Sequence, residues 1–417
     1  MFRTIRKPAR GFASSFALAL ALAGGAAVGT AAFAPAAYAK EDYSKEFVAV
    51  YKPAADLTTG DAPNFEAAKA QIAAVRAAAK TPDDMNAAGN FTLIVGNNLN
   101  DRVLQRQGLE MMLSSGKVAP ERIAQFQFFV GNLAFEAGDY AAARTALEAA
   151  AAAGWTENDP RGLAIESFFE EDKPAEGVAY LMRNVGELEA AGGQVPEKWL
   201  LRGLQASYDA GLLKESGDIS LALLSRFPSE KNWINTTQVV GALGDYDAQA
   251  ELDLLRLMRI SGAMKQKGEF TRYIENADPR IMSNEVEDVL AEGLAAGAFS
   301  SGETYYTEVK TVVDQRKAAD RAEADAMKRD ADQGTGKDAM AAGDVLYSLD
   351  RFAEAETYYQ MAAEKGGADA ATALTRKGIA QVRQGKYADA QSTFGQVSGT
   401  RKAIADLWSA YASSKAG

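Results

Sequence analysis

Residues 131–147 read GNLAFEAGDYAAARTAL and carry the pattern that decides the fold. The same order of residue types returns at 343–359, as GDVLYSLDRFAEAETYY, and at 378–394, as GIAQVRQGKYADAQSTF. Each copy has a glycine, a turn, an aromatic residue, an alanine and a bulky residue. The last two glycines, Gly343 and Gly378, are 35 residues apart. A period in the mid-thirties is typical of a repeat whose unit is a pair of helices.

The spacing within each copy predicts how its two helices pack. Tyr140, Ala143 and Leu147 fall at i, i+3 and i+7, which places them on one stripe of a helix that follows the turn. Gly131 has no side chain, so a neighbouring helix can approach the preceding helix closely. Because a hairpin with so narrow an apolar face cannot bury it alone, we expect the hairpins to stack on one another.

This pattern resembles the tetratricopeptide repeat, in which a small residue in the first helix is followed by a turn, an aromatic residue and an alanine. The resemblance implies an all-α fold, a right-handed α-solenoid of helical hairpins that follows a cleaved signal peptide. The copies that match well span about 124–157, 336–369 and 371–404. Weaker copies are predicted at 43–79, 82–115, 165–184, 199–228 and 233–257.

The resemblance also implies where a partner binds, since the first helices of such arrays line a concave groove. The residues that it places on this groove are Asn90, Asn97, Gln125, Asn132, Phe135, Gln205, Tyr208, Gln238, Asp344 and Tyr347. Neutral amides and aromatic rings suit an extended peptide, whose backbone they can hydrogen bond. The alternative for each residue is solubility or a helix–helix hydrogen bond. A groove rich in lysine and arginine is not apparent, so clamping of a terminal carboxylate is not expected.

The first 39 residues have the features of a secretory signal peptide. They carry four positive charges and no acidic residue, followed by an alanine- and leucine-rich run from about Phe12 to Val28. Ala37-Tyr38-Ala39 is an Ala-x-Ala cleavage site, so the mature chain would begin at Lys40. An uncleaved anchor is the alternative, but Gly24-Gly25 interrupts the apolar run. A periplasmic or secreted protein with no transmembrane segment in its mature chain is therefore expected.

The charge of the mature chain bears on its partners. Residues 40–417 hold 41 basic and 56 acidic side chains, a formal charge of −15. Such a surface repels phosphate backbones, so nucleic acid is not an expected partner. A protein or an extended peptide is the expected partner, and a complex in the cell envelope is an alternative setting.

The pattern along the chain predicts five segments. They are a signal peptide at 1–39, degenerate N-terminal hairpins at 40–120, the most regular array at 121–262, an irregular helical segment at 263–333, and a C-terminal repeat pair with a capping helix at 334–417. A long charged helix is predicted from Glu303 to about Asp332. It is either held by i,i+4 charge pairs or bridges two packed units, and an interaction segment that carries the interface is the alternative. Leu407, Trp408 and Tyr411 are expected to cover the last repeat.

The composition argues against most enzyme chemistry. The chain has no histidine and no cysteine, which removes Ser-His-Asp and Cys-His nucleophiles and the usual zinc ligands. A non-catalytic scaffold or adaptor without cofactor or metal is the expected function. The alternative is a carboxylate-dependent enzyme, or a binding protein, that acts on cell-wall glycan. Glu166-Ser167 is similar to the glutamate–serine pair of lytic transglycosylases, but the segment that follows in those enzymes is missing here.

Overall fold

The structure is a computed structural model that describes residues 42–416, and this part of the chain is all-helical, with no strand. The predicted signal peptide lies outside the described residues. The chain divides after Lys173 into two compact units. The predicted all-α array of consecutive helical hairpins is confirmed in each unit. The segment boundaries predicted at 120, 262 and 333 stay predictions, and the division after Lys173 was not among them.

Unit 1 consists of the helices between residues 42 and 173. Their bounds are α1 (Lys45–Asp56), α2 (Phe65–Ala78), α3 (Pro82–Asn98), α4 (Arg102–Ser115), α5 (Pro120–Glu136), α6 (Tyr140–Ala152) and α7 (Pro160–Glu170). One apolar cluster joins α1, α2 and α3 around Phe47, Val75 and Phe91, and another joins α3 to α6 around Leu93 and Phe126. The core of unit 1 therefore runs from hairpin to hairpin, as stacking requires.

Unit 2 is larger and contains the remaining described helices. Their bounds are α8 (Pro174–Ala190), α9 (Glu197–Asp209), α10 (Leu213–Arg226), α11 (Glu230–Leu243), α12 (Ala248–Ile260), α13 (Lys267–Ala277), α14 (Ser283–Ala295), α15 (Thr304–Gln333), α16 (Gly336–Ser348), α17 (Phe352–Lys365), α18 (Ala370–Arg383), α19 (Tyr387–Phe394) and α20 (Lys402–Ala416). A short 3₁₀ turn, Gly399–Arg401, precedes α20. A single apolar cluster extends from Leu224 to Ala412.

The three well-matched copies turn in the same way. The residue two places before each second helix has a positive φ: +76° at Gly138, +57° at Asp350 and +75° at Gly385. The next amide, such as that of Asp139, donates to the carbonyl five residues earlier at 2.9 Å. This closes the first helix in a Schellman motif, which favours glycine or a short polar residue at the left-handed position.

The repeat glycines make the contact that the sequence predicts. An ideal Cβ on Gly131 would lie 2.6 Å from Cγ of Leu147, and one on Gly378 would lie 2.4 Å from Cε1 of Phe394. Gly343 faces Tyr359 in the same way at 2.7 Å. In all three copies the bulky residue is 16 positions after the glycine. Only a glycine permits this approach, because any side chain would overlap the ring or the leucine.

A fourth copy with the same contact lies in α9 and α10. An ideal Cβ on Gly203 would lie 2.8 Å from Cδ1 of Ile219, again 16 positions later. This segment lies in the weak copy predicted at 199–228, for which the contact of these two residues was not predicted. Its second helix begins at Leu213 rather than at an aromatic residue, which is the reason that the pattern was hard to see.

The long charged helix is confirmed as α15, and it packs between α14 and α16. Val313, Asp320 and Ala324 are buried, so the helix is not solvated all round. Asp320 accepts a hydrogen bond from the Ser283 hydroxyl of α14 at 2.5 Å. The i,i+4 pair of Lys310 and Asp314 is formed on the exposed side. The helix therefore bridges two packed elements, one of the two predicted roles.

The C-terminal helix covers more than the last repeat. Trp408 of α20 stacks on Phe394 with ring centroids 6.2 Å apart, as expected of a cap. Its indole nitrogen also donates to the backbone carbonyl of Asp253 in α12 at 2.9 Å, and Tyr411 donates to the carbonyl of Ile260 at 3.3 Å. The helix thus packs on α10, α11 and α12, more than 100 residues away along the chain.

Candidate protein-binding surface

The repeat glycine gives a common register for the first helices of the hairpins. We number positions from this glycine, so that −2, +1 and +4 fall on one side of the first helix. In α16 the +1 and +4 residues are Asp344 and Tyr347, and in α18 the −2 residue is Arg376. In α5 the corresponding residues are Phe129, Asn132 and Phe135.

In unit 2 these positions face α12. The guanidinium of Arg256 lies over the ring of Tyr347, 4.3 Å from its centroid. The Arg376 guanidinium donates to the Asp253 carboxylate at 3.3 Å and also to the side chain of Gln249. Since Gln249, Asp253 and Arg256 are spaced i, i+4 and i+7, one face of α12 fills the first-helix side of the C-terminal repeats.

The side chains at this contact form a network of paired charges in which all members except the half-buried Asp344 are buried. Its arginines are Arg256, Arg376 and Arg401, and its carboxylates are Asp253, Glu285 and Asp344. Arg256 binds Glu285 with two hydrogen bonds of 2.8 and 2.7 Å, and Arg376 binds Asp344 with two of 2.7 Å. Buried charges persist only when paired in this way, because an unpaired ion loses its hydration without compensation.

The pairing keeps the two most buried carboxylates ionised. Burial by itself would raise the pKa of Asp253, but the positive charges of Arg376, Arg401 and Arg256 outweigh it and lower that pKa. The pKa of Glu285 is lowered in the same sense: burial opposes, while Arg256 and the hydroxyl of Tyr273 stabilise the carboxylate. Glu285 is therefore not a protonated acid of the kind that glycan cleavage would need.

In unit 1 the same register positions are partly exposed. Phe129, Asn132 and Phe135 are all half-buried. The Asn132 amide donates to Glu136 on the same helix at 2.9 Å. Phe135 makes an edge-to-face contact with Tyr140 at 5.5 Å, which matches the contact of Tyr347 with Phe352 at 5.2 Å. The two hairpins therefore agree in internal packing and differ in what covers their first helices.

The first helices of unit 1 are also uncharged over long stretches. Residues 85–100, which include most of α3, and residues 123–135 of α5 contain no acidic or basic side chain. Asn86, Asn90 and Asn97 of α3 are half-buried and fall on one stripe at i, i+4 and i+11. The Oδ1 atoms of Asn86 and Asn97 are shielded from solvent and accept no hydrogen bond within the described residues. These two oxygens are buried acceptors that the described residues leave without a donor.

The other predicted groove residues occupy varied surroundings. Gln125 of α5 is half-buried, as is Tyr208 of α9. Gln205 donates to Asp209 at 2.8 Å, and Gln238 donates to Glu269 at 3.2 Å. Their role in partner binding stays a prediction.

Two of the predicted residues lie inside packed structure. Tyr347 is 3% exposed under Arg256, and Asp344 is held by Arg376 and by the Tyr359 hydroxyl at 2.9 Å. The sequence missed the other members of this contact. Nothing near Asp253 or Arg256 in the sequence reveals which distant helix each residue contacts. In unit 1, by contrast, Phe129 could have been predicted from its −2 position in its copy.

Glu166 and the acidic side chains are the groups that bear on enzymatic or metal chemistry. Glu166 lies half-buried on α7 beside Ser167, whose hydroxyl donates to the Ala164 carbonyl at 2.6 Å. Between residues 42 and 416 no group of three or more aspartate or glutamate side chains is arranged to hold a metal ion. Over the same range, no helix combines the length and the apolar character that crossing a membrane requires.

The comparisons with known proteins identify no family. No protein-family model matches the sequence, and no curated protein matches it. Solved structures do match, among them the complex of the TPR2AB domain of yeast Sti1 with pHSP90. It is 16% identical, with coverage of 70% of this chain and 99% of that chain, and its TM-score is 0.24. A likeness at this level carries no conclusion about function.

Proposed function

We propose that this protein is a non-catalytic scaffold that binds a protein partner on the first helices of unit 1, chiefly α3 and α5. The observation that carries the proposal is the contrast at matching positions: Tyr347 is buried under Arg256 of α12, whereas Phe135 is half-buried and partly accessible. Helical hairpin arrays supply extended binding surfaces of this kind. The uncharged stretches of α3 and α5 also suit a protein surface better than a nucleic acid or an anionic lipid.

The proposal includes export. Residues 1–39 have the charge distribution and the Ala-x-Ala site of a secretory signal peptide, which favours the periplasm and, as a setting for the partner, an envelope complex. Cell fractionation and the mass of the purified chain test this part. We expect a periplasmic protein whose N-terminus is Lys40. An uncleaved N-terminus or a cytoplasmic chain would overturn it.

The binding surface is tested by photo-crosslinking in intact cells. A photoreactive amino acid at Asn132 is expected to capture a defined partner, and the same amino acid at Asp344 or at Val103 is not. Val103 of α4 is 63% exposed, so it controls for mere exposure, while Asp344 controls for the equivalent position in unit 2. Capture from Val103 or Asp344 but not from Asn132 would contradict the proposed surface, and capture from none of them would contradict the scaffold function.

A further inference from the structure

The C-terminal repeats of unit 2 show what the first-helix side of these hairpins can bind. Their occupant is α12, and it presents Gln249, Asp253 and Arg256 from consecutive turns of one helix face. This is the geometry of a helix in a groove, in which anchors recur at i, i+4 and i+7. The chain therefore contains one filled example of the surface that unit 1 presents.

The register carries this example over to α5. The positions that receive α12 are −2 in α18, through Arg376, and +4 in α16, through Tyr347, while the +1 residue Asp344 binds Arg376. Because α5 has the same glycine contact, turn and aromatic pair, its Phe129, Asn132 and Phe135 occupy the same places on their helix. The backbone arrangement is therefore the same in α5 as in α16 and α18, whereas the side chains at these positions differ in charge.

The difference in chemistry defines the occupant. We propose that the α5 surface of unit 1, meaning Phe129, Asn132 and Phe135, binds an amphipathic α-helix of the partner whose contacting side chains at i, i+4 and i+7 are uncharged and mainly apolar. This inference rests on the proposed function, and it replaces the extended peptide expected from the sequence. In unit 2 the charges of α12 meet countercharges, whereas the three residues of the α5 surface carry no charge. The nearby carboxylate, Glu136, already accepts a hydrogen bond from Asn132 at 2.9 Å and lies 3.6 Å from Nε of Arg102. A charged side chain of the partner would therefore be desolvated there without a free countercharge.

The direct test uses three designed peptides of equal length and fluorescence anisotropy with the chain 40–417. The first is a model helix with leucine at i, i+4 and i+7 and polar residues elsewhere. The second has two central polar residues of the first replaced by proline, which prevents helix formation. The third is a helix that carries glutamine, aspartate and arginine at the three positions, as α12 does. We expect the first peptide to bind at least tenfold more tightly than either of the others.

Variants of the protein locate the binding. Phe129→Ala and Phe135→Ala are expected to weaken the leucine helix about tenfold, a loss on the order of 1.4 kcal/mol, and Val103→Ala is expected to leave it unchanged. Phe129 packs partly on the unit 1 core, so a variant that alters only the exposed position is also needed. Asn132→Asp supplies it, and combined with Phe129→Arg it should shift the preference towards the charged helix.

The possible results distinguish a failure of the helical binding mode from a failure of the proposed scaffold function. Equal or tighter binding of the proline peptide, or binding that none of the α5 variants changes, would overturn the helical partner. If the Asn132 crosslink still captures a partner in cells, the scaffold function stands and only its helical mode is lost. If the leucine helix binds as expected and the Phe129→Arg, Asn132→Asp variant selects the charged helix, the register argument is supported.

Discussion

The hairpin α5–α6 of unit 1 and the hairpin α16–α17 of unit 2 have the same internal construction and different neighbours. Both have a glycine packed on a residue 16 positions later, a left-handed residue in the turn and an aromatic pair across it. In unit 2 the first helix is covered by α12 and α14, through Arg256 over Tyr347 and a bond from the Glu285 amide to Ser348 at 3.0 Å. The repeat therefore specifies a hairpin, and residues outside the repeat decide whether another helix covers the first helix of that hairpin.

The largest expected effect is that of Asp253→Asn. The change leaves Arg256, Arg376 and Arg401 with less countercharge in a fully buried place, so we expect a loss of about 3–5 kcal/mol in the free energy of unfolding of unit 2. Hydrogen exchange measured by mass spectrometry should show faster exchange in peptides of 174–416 and no change in 42–173.

The matched control is Asp218→Asn, since the Asp218 side chain is 51% exposed and pairs with Lys214 on its own helix. A surface pair of this kind contributes about 1 kcal/mol or less. If Asp253→Asn costs no more than the control, or if unit 1 loses as much as unit 2, the charged network does not hold α12 in place.

The next effect comes from the repeat glycines. Gly378→Ala in unit 2 and Gly131→Ala in unit 1 force a methyl group against Phe394 and Leu147, and overpacking of this kind costs about 1–3 kcal/mol. Gly186 of α8 has open space where a Cβ would lie, so Gly186→Ala should stabilise its helix by about 0.5–1 kcal/mol. Urea denaturation distinguishes these results, and equal effects at Gly378 and Gly186 would contradict the shared contact.

A smaller effect is expected on acidification. The folded pKa values of Asp253 and Glu285 lie below their ordinary values, so their contribution to stability is complete above the unfolded pKa values of about 3.9 and 4.3. It is lost as pH falls through that range towards the folded values, because the unfolded chain then binds more protons. The urea concentration at which unit 2 is half unfolded should decrease when the pH is lowered below about 4.

Glu285→Gln tests the origin of this pH dependence, since it removes one of the two carboxylates while keeping its shape. The variant should lose stability at neutral pH and show a shallower decline in acid. Stability of unit 2 that increases as pH falls, or an unchanged slope in the variant, would contradict the assignment.

The smallest expected effect is that of Asn132→Asp at the +1 position of α5. The residue is half-buried and donates to Glu136 on its own helix, so the free energy of unfolding should change by no more than about 0.5 kcal/mol. At the equivalent place in unit 2, Asp344→Asn weakens two bonds to buried Arg376 and should cost several times more in the same denaturation experiment. Equal costs would indicate that the two positions are covered alike.

The sequence was sufficient to predict the hairpins but not to predict which distant helices contact one another. Gly131, Gly343 and Gly378, with their turns and aromatic residues, predict each helix pair because the interaction is local and repeats along the chain. The long helix from Glu303 and the C-terminal cap were predictable for the same reason. The binding residues were carried over from the repeat pattern, which placed Tyr347 on an open groove that α12 fills.

The missing information concerns residues far apart in the sequence. Asp253 meets Arg401 across 148 residues and Trp408 across 155, and no spacing pattern records such pairs. An aspartate and an arginine on α12 look like an ordinary exposed helix face until the helices that cover them are known. The copy in α9–α10 was difficult for another reason, because Leu212 lies nine positions after Gly203, where the other copies have an aromatic residue.

The central claim is that Phe135 and Tyr347 differ in exposure, and thiol labelling measures the accessibility of these two positions directly. The chain has no cysteine, so Phe135→Cys, Tyr347→Cys and the exposed reference Val103→Cys each supply one reactive group. In variants that keep native helicity, the account predicts that Phe135→Cys reacts within about tenfold of the reference. Tyr347→Cys, shielded by α12, should react at least about 100-fold more slowly. Equal labelling of the cysteines at 135 and 347 would contradict the claim that one hairpin is filled and the other open.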